Sequence, residues 1–489
     1  MGSNKDTVPG TASQPKKIDP AIVAKAGLWY TICNFTFKGL AFITTPIFAR
    51  LLTKSELGYF GNYASWVSIL LILTSFDFAQ SIIRSKLDFQ EDLDAYIWSI
   101  LSLSTLWTLL VYGVVCLFSG FFTNLLQVEM KHIHIMFLYF LTVPAYTMLI
   151  TKHRAKYKYK TFALITGIAT VTALIASLAL VFIMEDRVSG RIIGHYMPYI
   201  ILGLGIYILI VRKGGGRPQV RYWKYAIVLC LPLVPHILSM NLLSQSDKII
   251  ITRLCGREFT AIYTIAYSCY HIATILLDSL NKAWAPWLLD SLHLENYEDI
   301  RTVSKKYVLI FAAVDIMVLL AAPEVILLLG GRQYHDAIYC MPPLLVSCVI
   351  QLIYTMYVNI EFFKKKTFGV SLATMAATAF NIILNFIFIP MNPERGYVIA
   401  SYTTLAGYIL LFALHFLLVK RLGMGFVFDI RFLMIVIAGA VGAACLVNLL
   451  YSLPVVRYAV MAAYIVLIGW FAVRHKDEIL SIVIRKKRR

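Results

Sequence analysis

Apolar stretches of twenty or more residues alternate along this chain with short polar segments that hold most of its charge. An α-helix needs ~20 mostly apolar residues to cross the hydrocarbon core of a bilayer. Fourteen stretches meet that requirement, at roughly 25–49, 62–83, 95–121, 132–151, 161–184, 190–211, 225–245, 259–281, 307–330, 337–360, 368–390, 397–419, 432–452 and 455–473. Backbone amides cannot be left unpaired in hydrocarbon, so such spans are helical. The longest connection joins the eighth and ninth stretches. The pattern predicts an all-α polytopic membrane protein with about 14 transmembrane helices.

Composition agrees. Of 489 residues, 59% are hydrophobic and 15% charged, whereas soluble domains run at ~45–50% apolar and ~25% charged. That excludes a soluble enzyme built on one large core. The formal net charge of +19 would suggest nucleic acid in a soluble protein. Sorting the 45 basic residues by loop changes its meaning. The tails and even-numbered loops hold 32 and the odd-numbered loops 11, with Lys25 and Lys38 inside the first span. The positive-inside bias then puts both termini in the cytoplasm of a plasma-membrane protein, and no nucleic-acid partner is needed. No cleavable leader is expected at the N-terminus. The eight cysteines form no CxxC pair and read as small buried hydrophobes, so no metal or cofactor is expected.

A repeat runs through the spans. Tyr146-Thr147-Met148 recurs as Tyr354-Thr355-Met356, Lys160-Thr161-Phe162 as Lys366-Thr367-Phe368, and Arg50-Leu51 as Arg253-Leu254. A shift of six helices preserves orientation, so the repeats are parallel, as in many secondary transporters. The expected organisation is a cytoplasmic N-tail over 1–20, a six-helix lobe over 21–212 and a cytoplasmic linker over 213–223. A second six-helix lobe over 224–421 follows, then two further helices and a basic cytoplasmic tail over 422–489.

A charge at the centre of a spanning helix costs roughly 2.5–3.5 kcal/mol on insertion scales, so it normally faces a cavity or a partner. Lys38 lies midway along the first span, one turn from Asn34, and both are candidates for a central cavity; snorkelling or a structural acid partner is the alternative. Asp77 and Gln80 share a face of the second span, where Asp77 either pairs with Lys38, carries a coupling proton or is structural. In the seventh span Pro232 and Pro235 precede His236 and predict a break, with Asn241 following and the charges Asp247, Lys248 and Arg253 closing the helix end. Arg50 is a further cavity candidate, and Asp315 a second coupling candidate. Asn381 and Asn385, one turn apart, suit interhelical hydrogen bonding. His132-x-His134 has no supporting acid, and no P-loop or HExxH occurs.

The run Lys38-Gly39-Leu40 through Pro46-Ile47-Phe48-Ala49-Arg50-Leu51-Leu52-Thr53 and Glu56-Leu57-Gly58-Tyr59 resembles the opening of Wzx-type oligosaccharide flippases. These are polysaccharide-biosynthesis members of the MOP superfamily, which also holds the multidrug (MATE) and lipid II exporters. Asp247-Lys248 with Ile262-Tyr263, Asn281-Lys282-Ala283-Trp284-Ala285-Pro286-Trp287, and Pro323-Glu324 with Leu329-Gly330-Gly331 continue the resemblance in order. Ala261 stands where that family usually has glycine. The resemblance implies a MOP/MATE-like fold and no enzymatic activity. It also implies translocation of a polyprenyl-pyrophosphate-linked oligosaccharide from the inner to the outer leaflet by alternating access. Expected partners are that lipid-linked substrate, membrane lipids, H+ or Na+ as coupling ion, and the polymerase and glycosyltransferases of the pathway. The competing readings are a cation-coupled MATE-like multidrug exporter, a membrane polymerase or glycosyltransferase, and an assembly scaffold. The central lysine favours an anionic substrate, and the short outward loops leave little room for a catalytic site.

Overall fold

The computed structural model describes residues 44–474 together with Trp29, Cys33, Thr36 and Gly39, which are helical. Among the described residues there is no strand. Ten helices are long and apolar enough to cross a membrane, or twelve if two bent pairs each count as one span. Most of the first expected span lies outside the described residues, and the last contains a shorter apolar helix, Pro454–Trp470. The N-terminal half comprises α1 (described over 44–51), α2 (Lys54–Ser75), α3 (Ser81–Asp88), α4 (Leu93–Leu117), α5 (Ser119–Leu126), α6 (Met130–Ala155), α7 (Tyr159–Ile183) and α8 (Arg187–Gly214). The C-terminal half comprises α9 (Val220–Cys230), α10 (Val234–Leu254), α11 (Arg257–His293), α12 (Tyr297–Leu320), α13 (Ala322–Gly330), α14 (Met341–Phe363), α15 (Thr367–Phe388) and α16 (Gly396–Arg421). Then come α17 (Ile430–Leu450) and α18 (Pro454–Arg474).

Three places depart from straight spans, two of them at prolines. A capping box between Thr53 and Glu56 starts α2, which ends where Phe76 and Asp77 both turn left-handed, at φ 47° and 48°. Asp77 therefore sits in a turn, and Gln80 lies beyond it in a short 3-10 segment. The expected break in the seventh span is present: α9 and α10 meet at 54° around Pro232 and Pro235, which cannot extend the hydrogen-bond ladder. A second bend, of 59°, separates α12 from α13, with Pro323 in the first turn of α13. The longest expected loop is mostly helix, because α11 continues to His293 and α12 begins at Tyr297.

The repeat is visible in the backbone. The α6–α7 turn puts Tyr157 at φ 55° and the α14–α15 turn puts Lys365 at φ 57°. In each, two amides close the helix end in the same way: Tyr157 and Lys158 donate to Arg154 and His153, and Lys365 and Lys366 to Phe362 and Glu361. The apolar core follows the halves except that α9 packs with the N-terminal one. Two clusters use residues up to Cys230, and one large cluster runs from Leu243 to Val447 and takes in Phe48, Ala49, Leu52, Leu57 and Val181.

Candidate functional site

A cavity of about 220 Å3 lies where α1, α2, α7 and α8 face α11, between the two halves of the chain. Its most polar wall is one face of α8. Arg191, His195 and Tyr199 succeed one another at four-residue intervals and all line it, as the 3.6-residue period requires. Gly190 and Gly194 occupy the adjacent face and set how closely α8 approaches α7. A Cβ on Gly194 would lie 2.3 Å from the Ser177 Cα, and one on Gly190 would lie 2.5 Å from the Leu180 carbonyl oxygen.

The Arg191 guanidinium is held between two aromatic faces, 3.6 Å from the Phe48 ring centroid and 4.5 Å from that of Phe60. Its Nε is buried without a hydrogen-bond partner among the described residues. A desolvated cation over aromatic rings gains about 2 kcal/mol or more, which offsets only part of the cost of burying an unpaired charge. The side chain is thus positioned by apolar contacts, with its hydrogen-bonding capacity unspent. His195 stands edge-on to Phe60 at 5.9 Å and to Tyr196 at 4.7 Å. The remaining lining includes hydroxyls from Thr44, Thr45, Thr170, Thr264 and Ser268, and no carboxylate. Those of Thr170, Thr264 and Ser268 donate to carbonyls of their own helices, so their oxygens remain acceptors for a ligand.

Contacts between the halves close around the cavity. Gly58 lies so near α11 that a Cβ there would sit 1.7 Å from the Arg257 carbonyl oxygen. The Arg257 guanidinium covers the Tyr59 ring at 4.5 Å. Tyr59 donates to His132 Nδ1 (2.7 Å), His132 Nε2 meets the Ser189 hydroxyl (2.8 Å), and Ser189 donates to Asp186 (2.6 Å). Asp186, in the α7–α8 turn, is held well below the usual carboxylate range. Its partial burial opposes this, but the hydrogen bonds from Lys131 and Ser189 prevail. Further along α2, Ser65 donates to Gln245 (3.1 Å) and Ser68 to Asn241 (3.0 Å).

Of the cavity candidates read from sequence, Asn34 and Lys38 lie outside the described residues. The other six do not line this cavity. Arg50 is exposed and donates to the Pro46 and Leu328 carbonyls at 2.8 and 3.1 Å, joining the halves. Asp77 occupies the left-handed turn after α2, Gln80 is exposed, and Arg253 is exposed at the end of α10. His236 sits in the first turn of α10, and Asn241 accepts from Ser68. Asp315 is buried in α12, with Oδ1 unpartnered among the described residues. Asp247, read as a helix-end charge, is fully buried and accepts from Tyr263 (2.6 Å), Thr404 (2.6 Å) and Asn385 (2.7 Å). Asn385 thus makes the interhelical bond expected of it. Arg191 and His195 were not among the candidates: Arg191 stands at the edge of the expected span 190–211, although its spacing from His195 and Tyr199 was readable.

A model of the family described as polysaccharide biosynthesis protein matches residues 23–291. No curated protein sequence matches the chain significantly. Among solved structures, the chain is similar to the lipid II flippase MurJ in an inward closed conformation. The TM-score is 0.67 at 14% identity, covering 92% of this chain and 99% of that one. It is also similar to a multidrug resistance MATE family transporter of the MOP superfamily in an inward-facing conformation, with TM-score 0.61 at 13% identity over 79% of this chain and 95% of that one. A third likeness is to a MOP superfamily transporter from Pyrococcus furiosus, with TM-score 0.52 at 14% identity over 82% and 96%.

Proposed function

The chain belongs to the polysaccharide biosynthesis protein family, and from that premise we propose that it is a flippase for a polyprenyl-pyrophosphate-linked oligosaccharide. The headgroup moves from the inner to the outer leaflet while the polyprenyl tail stays in lipid. Two six-helix lobes, over 21–212 and 224–421, rock about the site between them, and both termini face the cytoplasm of a plasma-membrane protein. The observation that carries this reading is Arg191, a half-buried cation whose Nε is buried without a hydrogen-bond partner among the described residues, in a hydroxyl-lined cavity between the halves. Pyrophosphate supplies the acceptors that the guanidinium lacks, and Arg presents planar, paired donors suited to phosphate oxygens. Serine, threonine and tyrosine hydroxyls match a sugar. Lys38 would add a second cation from the first span.

At about 220 Å3 the cavity is smaller than the ~300–1,000 Å3 of pockets that enclose drug-sized ligands. Loading therefore requires the halves to separate, as alternating access does. A cation exporter of the same fold is less well supported, because the lining offers a cation no carboxylate among the described residues. The test is a leaflet-resolved assay in proteoliposomes with a fluorescent polyprenyl-pyrophosphate-linked disaccharide. Charge-assisted hydrogen bonds are worth about 1.5–3 kcal/mol, so Arg191→Ala should slow transfer roughly 10–100-fold, and Arg191→Lys should retain part of it. Wild-type transfer by Arg191→Ala, or none by the unmodified chain, sinks the proposal.

A further inference from the structure

Away from the cavity, inside the C-terminal half, α14 and α16 bring a carboxylate and an imidazole together. Glu361 Oε1 lies 2.8 Å from His415 Nδ1, and both side chains are 1% exposed. The other polar atom of each, Glu361 Oε2 and His415 Nε2, is buried with no partner among the described residues. His236, in the first turn of α10, has a buried and equally unpartnered Nδ1, and α10 packs against α16, the helix that carries His415. A buried ion pair stabilises only when its remaining lone pairs and protons are satisfied. Here three are unsatisfied in one interior. That is a poor structural staple and a good place to hold a proton.

We propose that Glu361, His415 and His236 form a proton-binding site that couples transport to proton movement. This rests on the reading of the chain as a transporter. With His415 neutral and donating from Nδ1 to an ionised Glu361, the pair carries one negative charge. One proton taken from water, onto His415 Nε2 or His236 Nδ1, brings the group to neutrality, and returning that proton to water restores the charge. No other reactant is needed. Low dielectric disfavours the charged state, so the loaded form suits the closed interior and release requires water.

The link to transport is α10. It begins at the 54° bend after α9, carries His236 in its first turn, and further on presents Asn241 and Gln245 to Ser68 and Ser65 of α2. A change of charge at His236 therefore acts on the helix that joins the halves. Few other titratable groups face this cluster. On α14, Tyr354 stacks on His415 at 5.7 Å, and Tyr408 of α16 stacks on Tyr354 at 6.1 Å. From α11, Asp278 acts electrostatically on Tyr354. Neither α15 nor the part of α2 beyond Tyr63 has a titratable side chain. The cations Lys364, Lys365, Lys420 and Arg421 are exposed at the ends of α14 and α16.

The experiment uses the full chain in liposomes, with membrane potential clamped by valinomycin and potassium. Maleimide labelling of Ser268→Cys in the cavity, measured against the chain without that substitution, reports how open the site is. The labelling rate, divided at each pH by that of a free cysteine peptide so that thiol ionisation cancels, should change roughly tenfold between pH 5.5 and 8.5, within the usual range of coupling between sites. Glu361→Gln and His415→Gln should flatten the profile. His236→Gln, which leaves the ion pair intact, should shift or flatten it and serves as the deciding variant if the other two fail to fold. A flat profile without these changes, or an unchanged profile in the folded variants, overturns the proposal. A second arm follows the fluorescent lipid-linked disaccharide with and without a pH gradient. If the probe does not move while labelling keeps its Glu361-dependent profile, the substrate reading fails and the proton site stands. If it moves equally with and without the gradient, and in Glu361→Gln, the proton site fails and the transport reading stands.

Discussion

Two charged residues show what single positions in a span do and do not disclose. Arg191 lies near the start of its helix, at the edge of the expected span 190–211, and only packing against Phe48 and Phe60 turns it inward. Its spacing from His195 and Tyr199 was legible; which neighbour that face meets was not, because helix rotation is set by contacts distant in sequence. Asp247 was likewise read as a helix-end charge, yet it gathers donors from α11, α15 and α16. Removing its carboxylate leaves those donors buried without an acceptor, at about 1–3 kcal/mol for each one left unsatisfied. Asp247→Ala should therefore lower the midpoint of thermal unfolding in detergent by several degrees, while Asp247→Asn, which still offers an acceptor, should lower it less. Equal midpoints for the two variants would contradict this account.

Helices were the most legible level, since periodicity and length suffice to find a span. Their breaks were legible only where chemistry marks them. Pro232 and Pro235 announced the α9–α10 bend, whereas nothing local announced the left-handed pair Phe76 and Asp77 or the extension of α11 to His293. Close approaches between helices divide into two kinds with different expected consequences. Gly190 and Gly194 lie four residues apart, the small-residue spacing that lets membrane helices pack closely, and their contact with α7 is internal to the N-terminal half. Gly194→Val should lower thermal stability and yield, because its side chain would start 2.3 Å from the Ser177 Cα. Gly58 faces α11 across the halves. Gly58→Ala should leave each half packed but hold α2 off the Arg257 carbonyl, raising maleimide labelling of Ser268→Cys several-fold with little change in unfolding midpoint. If Gly58→Ala unfolds the chain as readily as Gly194→Val, the contact is part of the core and no gate.

Taken whole, the molecule repeats its topology but not its packing. The matching turns at Tyr157 and Lys365 place α14 as the counterpart of α6, yet 89% of the apolar window ending in α14 is buried against 50% for α6. Part of the difference comes from α17, which packs on α14 and whose Leu433, Val436, Ala440, Ala444 and Val447 join the large C-terminal core; α18 lies beyond it, with Arg457 bound to Glu324 of α13 and donating to the Leu320 carbonyl at 2.7 Å. The two helices outside the repeat thus thicken one half. Orientation is the remaining property at this scale, and it rests on charge. The split of 32 basic residues to 11 between alternate loops predicts that the linker after α8 and the C-terminal tail share the cytoplasmic face, because basic segments resist translocation. On that orientation Arg191 would sit in the outer part of the membrane, one turn inside the α7–α8 turn, and Glu361 and His415 toward the cytoplasmic ends of their helices. Fluorescent-protein fusions at Gly216 and after Arg489 should both fluoresce, and alkaline phosphatase at the same two positions should be inactive. Phosphatase placed in the α7–α8 turn should be active. Activity at Gly216 would reverse the membrane orientation, leave the outer and inner assignments of both sites exchanged, and require the substrate to enter beside Arg191.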